Sequence, residues 1–525
     1  MLKVRTILYM NVRKIFNPVF KYISPEIKFW IKNFLYKFAL RLNPNSGFNY
    51  FKLFNIHYQM RNIIKSLPSW DFYLKEAIKV DPDFFFLHRR EVFNTFLRDS
   101  DLQLMEHYMQ IFEDFQSAYL KERNLDHFDF RFSSPFLFSS YNVNAYLDTF
   151  LKAMELGLKP KHQIIILLPD NEKIINPYML ELWQKYVKVI RDKKTIEHFS
   201  VLRKYFQYDI DFSCSLNGKG MFIEHAKVIV QKEWEKRNYD PLLKLSSEDK
   251  EIGWKLLGSQ RIIATDHYSK SSRLTGHERD YKRLQEITRE GGWFVTLHVR
   301  DSGYLLGKYD KRDDPNFYRN ADIDSYTDAI KSIVDRGGYV VRVGDPKMKP
   351  MSEEIKCVFD YAHSDIRSNK MDIFLFSQCR FFIATNSGPW LIPCLFNVPT
   401  VVTNLLPLIR PWTKDSLFIP KILKLNNENR ILTIKEMLSP EFGKFYTTRQ
   451  YLEKNISIID NTKEELNTLV LEMLDYLDGS LVYSDEDNAE QNKLSNLYLR
   501  YSKYGDNGRM GRDFLKKYFS EQLSI

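Results

Sequence analysis

The sequence predicts an α/β protein built from two Rossmann-like domains preceded by an α-helical N-terminal region. Three observations carry that expectation. Short apolar runs that stop abruptly at polar residues alternate with amphipathic stretches from Phe128 to Asn404, as parallel βα units require. Residues 48–126 instead show long helical periodicity with few glycines. At 525 residues the chain also outgrows a single core, so about two or three domains are expected. Apolar and charged fractions of 44% and 27% suit a globular chain, and 39 Phe with 31 Tyr can fill large cores.

The first segment, 1–47, concentrates charge. Residues 1–41 hold nine basic side chains against the single acid Glu26, which is +8 of the chain's +10. Large apolar residues interleave with them, and from Ile27 to Leu42 they recur at helical spacing between Lys28, Lys32 and Lys37. No window reaches the roughly 18 apolar residues that span a bilayer, and no signal-peptide cleavage pattern follows. A basic amphipathic segment of this kind suits an anionic membrane surface. Charge confined to one terminus, without a binding motif, argues against nucleic acid. Asn43-Pro44-Asn45-Ser46-Gly47 closes the segment as a turn.

Residues 48–127 form the helical region, broken at Leu67-Pro68-Ser69 and Asp81-Pro82-Asp83. Tyr73 to Asp83 resembles the end of a tetratricopeptide repeat, but one copy without a second at fixed period supports helical hairpins only. Residues 128–285 follow as the first Rossmann-like domain with an interdomain loop. Phe136-Leu-Phe138 is a short apolar run, and Ile164 to Leu168 is a buried parallel strand closed by Pro169-Asp170-Asn171. Asn176 and Pro177 are the N-cap and first residue of the next helix. Thr265 to Arg289, rich in polar residues including His267, suggests a mobile loop.

Residues 286–478 form the second Rossmann-like domain. Strands are expected at Trp293–Val299, Tyr339–Val343, Phe359–His363, Phe381–Ala384 and Pro399–Val402. Helices are expected at Ser325–Arg336, Met371–Cys379, Trp390–Phe396 and Glu464–Leu477. Strands apolar on both faces, joined by helices, mean a doubly wound parallel sheet. In residues 479–525 the acidic stretch Ser484 to Asn492 suggests a surface linker to a basic tail. The four cysteines show neither zinc nor disulfide spacing, and a reducing cytoplasm fits.

Ligands of open parallel sheets bind outside the carboxyl ends of the strands, so residues there are the candidates. Arg300 directly follows a strand and can hold a diphosphate with two parallel hydrogen bonds; it can equally pair with Asp301. His298 lies on the same side of that strand. Thr385-Asn386-Ser387-Gly388-Pro389 is a tight strand-to-helix turn whose N–H, hydroxyl and amide groups suit a phosphate, or simply cap a helix. Together these two junctions form half of a sugar-nucleotide site. Asp360, Tyr361, Ser364, Ser368 and Asp372 occupy the loop that meets a base or ribose, although Asp372 could cap its helix. Arg319 and Asn320 lie in a polar run with no evident structural reason. Arg342, inside an apolar strand that ends at Gly344-Asp345, needs a partner such as Asp301 or a ligand phosphate. The chain lacks GxGxxG, a Walker loop, HExxH and a convincing Asp-x-Asp, so nicotinamide, ATP and metal dependence lose support.

On these residues the chain resembles a family of bacterial glycosyltransferases encoded with surface-polysaccharide genes. The resemblance runs from about Phe128 to Asn404 and is carried by Leu297-His-Val-Arg-Asp301, Tyr318-Arg-Asn-Ala-Asp322, Val341-Arg-Val-Gly-Asp345, Asp360-Tyr-Ala-His-Ser364, Met371-Asp372 and Thr385-Asn-Ser-Gly-Pro389. The His298-x-Arg300 element is similar to that of fucosyltransferases, and the Ser-Gly-Pro turn to heptosyltransferases. The resemblance implies the two-Rossmann GT-B architecture, metal-independent inverting transfer without a cofactor, and donor phosphates held by Arg300 and the Ser387–Gly388 turn. Asp301 stands where fucosyltransferases carry a second basic residue, which argues against GDP-fucose.

The expected activity is therefore transfer of a sugar from a nucleotide-sugar to a cell-surface glycan or lipid-linked acceptor, at the inner face of the cytoplasmic membrane. A general base must deprotonate the acceptor hydroxyl, with His298, Asp170 and His267 as candidates. The alternatives are GT-B transfer of a pyruvyl or phosphate group and a non-catalytic scaffold for polysaccharide assembly.

Overall fold

The computed structural model describes residues 24–60, 64, 70–81, 88, 91–92, 96, 102–132, 142–170, 174–199, 213–263, 281–284, 292–303, 314–351, 356–439, 441–443, 445–501 and 507–520. His267 and the Phe136–Phe138 run lie outside them. The chain divides into two compact units, 1–95 with 201–205, and 96–200 with 206–525.

In the first unit three helices, Pro25–Leu42, Gly47–Met60 and Trp70–Val80, follow one another. Ser24 caps the first by accepting from the Ile27 N–H, and Pro25 opens it at no hydrogen-bonding cost. Gly47 is needed where the chain turns into the second, because a Cβ there would lie 2.5 Å from the Asp81 Cβ. Phe29, Phe51, Phe54, Tyr58 and Leu74 are buried together with His57, whose Nε2 meets Asn33 Oδ1 at 3.0 Å.

The second unit contains both parallel sheets. The smaller pairs β1 (Phe128–Phe132), β2 (Gln163–Leu167) and β3 (Val187–Ile190) in that order. Asn176 caps the helix Pro177–Trp183 by accepting from the Met179 N–H, and its amide donates to the Asn369 carbonyl. Two antiparallel pairs follow, β4 (Ser213–Leu216) with β5 (Lys219–Phe222) and β6 (Arg261–Ile263) with β7 (Tyr281–Arg283).

The larger sheet has seven strands: β8 (Trp293–His298), β9 (Gly338–Val343), β10 (Val358–Asp360), β11 (Phe382–Thr385), β12 (Thr400–Leu405), β13 (Ser416–Pro420) and β17 (Arg509–Met510). Their spatial order is β10-β9-β8-β11-β12-β13-β17, and every pairing is parallel. Counted from β8, the first six run 3-2-1-4-5-6, the doubly wound order. Every residue of β9, β11, β12 and β13 is buried, as expected of strands covered on both faces. Strands β14 (Ile422–Leu425), β15 (Arg430–Ile431) and β16 (Ile456–Ile459) form a separate antiparallel sheet.

Several expected elements differ. Phe359–His363 is a strand only to Asp360, and Tyr361–His363 is a 3-10 turn. The helix expected at Trp390–Phe396 is a 3-10 turn, Gly388–Trp390, followed by five α-helical residues, Leu391–Leu395. Beyond 478, where a surface linker and basic tail were expected, Asp485–Tyr501 is a helix, β17 adds the seventh strand, and Arg512–Phe519 is a further helix. A two-residue strand carries no periodicity, so its pairing is invisible to sequence pattern.

Candidate active site

Chain order reverses between β8 and β11, which lie side by side with Ala384 opposite His298. Beyond that register the two junctions are hydrogen-bonded to each other. Ser387 Oγ lies 3.0 Å from His298 Nδ1, and the Arg300 N–H donates to Thr385 Oγ1 at 2.9 Å. His298 is 8% exposed. Burial, reinforced by the charges of Arg342 and Arg300, pushes its imidazole down to about 4, so it is neutral near pH 7.

The Arg300 side chain, expected to hold a donor phosphate, is engaged by the 314–320 loop. It is 3% exposed, and its Nη1 donates to the Asn316 carbonyl (3.1 Å) and to Asn320 Oδ1. Nη2 is 3.8 Å from Oδ2 of the equally buried Asp314. A buried guanidinium needs several acceptors, and the 314–320 loop supplies them. Arg319, which is half-buried, reaches the Thr385–Pro389 turn and donates from Nε to the Asn386 carbonyl at 2.8 Å. The 3-10 turn Phe317–Arg319 brings it there, and pattern reading had no signal for so short an element.

The turn itself is largely engaged. Thr385, Asn386 and Ser387 are buried, and the Asn386 amide donates to the Leu406 carbonyl. Gly388 and Pro389 are half-buried, and Pro389 offers no N–H.

Arg342 pairs with Asp360 (3.0 Å) rather than Asp301, and donates also to the Lys349 carbonyl (2.8 Å). Neighbouring strands put Asp360 opposite Arg342 in register, a relation sequence spacing could not give. Asp360 Oδ2 meets His363 Nδ1 at 2.9 Å. Asp301 accepts instead from the Lys349 N–H (2.7 Å) and the Gly303 N–H. After β9, Gly344 gives way to Asp345, whose Oδ1 accepts from the Lys347 N–H.

The loop expected to meet a base or ribose is stitched to itself. Tyr361 is 1% exposed and donates to Asp372 Oδ1 at 2.6 Å, while Ser364 Oγ donates to the Tyr361 carbonyl. Ser368, not Asp372, caps the helix Asn369–Gln378. Burial raises the Asp372 carboxyl, partly opposed by the Tyr361 hydrogen bond. Asp170 follows β2 of the other sheet, exposed and 3.6 Å from Arg191.

A cleft of about 660 Å³ opens beside this network, lined by Asp301, Phe317, Asn320, Asp322, Tyr451 and Asp460 among others. Its size suits a small-molecule ligand. Lys421, 2% exposed at the end of β13, also lines it and donates to Asp460 Oδ1 (2.6 Å) and to the Asn320 carbonyl. Burial pulls the Lys421 ammonium below its ordinary range despite that partner. Lys349 lies 2.7 Å from both Asp322 and Asp324. Sequence reasoning missed Lys421, Tyr451 and Asp460; the apolar run Phe418-Ile-Pro-Lys421, ending on a cation, was the available signal. Among the described residues no three His, Cys, Asp or Glu side chains group closely enough to hold a metal ion.

No family model and no curated protein matches the chain. Among solved structures it is similar to E. coli ADP-heptose lipopolysaccharide heptosyltransferase II, with 11% identity over 65% of this chain and 98% of that one, at a TM-score of 0.32. A family 9 glycosyl transferase from Veillonella parvula aligns at 9% identity over 65% and 97%, with a TM-score of 0.32. The dodecameric iron-containing heptosyltransferase TibC, in complex with ADP-D-β-D-heptose, aligns at 10% over 66% and 76%, with a TM-score of 0.31. Likenesses at this level assign neither a reaction nor a ligand to this chain.

Proposed function

We propose that the protein is a glycosyltransferase whose nucleotide-sugar donor binds at the carboxyl edge of the seven-stranded sheet. The observation that carries this reading is the reversal of chain order between β8 and β11, with His298, Arg300 and the Thr385–Pro389 turn at that point. The resemblance of those same residues to polysaccharide glycosyltransferases supports it independently.

In this reading Arg319 takes the diphosphate beside the half-buried Gly388. Its planar fork compensates the charge that builds on the leaving diphosphate, which gives metal-independent departure of the nucleotide. The carboxylates of Asp301, Asp322 and Asp460 and the Asn320 amide accept and donate to donor hydroxyls in the cleft. Arg300 is a positioning residue that fixes the loop bearing Asn320 and Arg319. His298 holds the Ser387 turn in place. The acceptor is a glycan or a lipid-linked sugar.

Calorimetric titration with ADP-, GDP- and UDP-sugars tests the proposal, followed by mass spectrometry of acceptor products. At least one donor is expected to bind, and Arg319→Ala to weaken it about tenfold or more with the melting temperature preserved. Absence of binding by every nucleotide-sugar would overturn the reading. So would an Arg319→Ala variant with unchanged affinity.

A further inference from the structure

The helix Pro25–Leu42 turns two different apolar faces outward and inward. Phe29 and Asn33 are buried, with Phe29 edge-on to His57 at 5.2 Å. On the other side Ile27, Trp30, Phe34, Phe38 and Leu42 are each more than half exposed, Phe34 reaching 69%. At about 100° per residue these five positions fall within an arc of roughly 120°. Phe34 and Phe38 stack, with ring centroids 6.4 Å apart. Apolar residues seldom collect on a solvent-facing stripe without a partner.

The charges around the stripe identify that partner. Lys28 and Lys32 flank one side, Lys37 the other, and Arg41 stands in the last turn, whereas the helix's one acid, Glu26, is confined to the first. A second copy would bring the same cations face to face. Phospholipid headgroups of an anionic bilayer neutralise them while the acyl boundary receives the rings, and lysine stems can extend toward the headgroups. Among the described residues no helix is long and apolar enough to cross a membrane, so the helix would lie in the surface plane.

We propose that the stripe Ile27, Trp30, Phe34, Phe38 and Leu42 docks the protein on an anionic phospholipid surface. This rests on the first unit alone and not on the glycosyltransferase reading.

The full chain is sedimented with vesicles of phosphatidylcholine, with and without phosphatidylglycerol. It is expected to pellet with the anionic vesicles and to be released by added salt. The double variant Phe34→Glu/Phe38→Glu is expected to bind about tenfold or more weakly, with unchanged circular dichroism and melting, because both side chains are already exposed. A variant that pellets like the wild type would overturn the proposal. Wild type left in the supernatant would overturn it too. A dimer that the substitutions dissolve, with no vesicle binding, would assign the stripe to self-association instead.

Discussion

Ser387 Oγ lies 3.0 Å from His298 Nδ1, although 89 positions separate the two residues. The hydrogen bond joins the loops leaving the two central strands, just beyond the point where Ala384 pairs with His298. A polar link buried there replaces solvent as the partner of both groups, and it fixes the turn whose Asn386 carbonyl accepts from Arg319.

That environment makes stability depend on pH. The His298 imidazole is held at about 4 in the folded protein against 6.5 when exposed. Between those values the unfolded chain takes up the proton and the folded chain does not. Its contribution is therefore complete above pH 6.5 and is lost as pH falls toward 4, up to about 3 kcal/mol. The urea midpoint of the wild type should fall more steeply from pH 7 to pH 4.5 than that of His298→Gln. Parallel profiles for the two proteins would refute the assignment.

Arg342 is nearly inaccessible and satisfies both Asp360 and the Lys349 carbonyl. Arg342→Met strands those acceptors, but Asp360 is 31% exposed and can partly rehydrate, so a loss of about 2 kcal/mol is expected. Arg342→Lys should recover only part of it, because one ammonium lacks the fork that serves both acceptors. Chemical denaturation measures this. A Met variant within about 0.5 kcal/mol of wild type would show that the pair is not needed.

The fold of residues 293–405 was legible because strands buried on both faces write themselves as largely apolar runs, as in Val295–Leu297 and Phe382–Ala384. The junctions at His298 and Ser387 were legible for the same reason, since polar residues end such runs abruptly. What stayed hidden depends on register or on short elements. Asp360 as the partner of Arg342 follows from strand pairing, and the approach of Arg319 to Asn386 follows from a three-residue 3-10 turn. Lys421 was passed over because its strand closes on Pro420 rather than on a cluster of polar residues. The seventh strand, Arg509–Met510, is too short to leave any pattern.

Lys421 separates stability from ligand binding. Its ammonium is buried, but its carboxylate partner Asp460 is 47% exposed and can take water in its place. Lys421→Met keeps the apolar stem, so the change in stability should stay within about 1 kcal/mol. The Asn320 carbonyl nevertheless loses its anchor at the cleft wall. Under the proposed function, affinity for the donor should fall about tenfold in calorimetry, while melting barely moves. Loss of folding with no specific loss of affinity would assign Lys421 to the core alone.

Gly253 is where the helix Ser247–Gly258 faces Phe374 of the helix Asn369–Gln378. A Cβ at that position would lie 2.2 Å from Phe374 Cδ2. The Phe374 ring has little freedom to yield, being 1% exposed and edge-on to Trp254 at 5.2 Å. Alanine would ordinarily favour a helix by roughly 1 kcal/mol over glycine, but overpacking a buried ring costs about 1–3 kcal/mol. Gly253→Ala should therefore destabilise by up to about 2 kcal/mol despite its better helix propensity. Phe374→Leu in the same chain makes room for the new methyl, so the two changes should be less than additive. A double-mutant cycle by urea denaturation checks this. Strict additivity, or a stabilised Gly253→Ala, would mean that the two helices do not meet at this glycine.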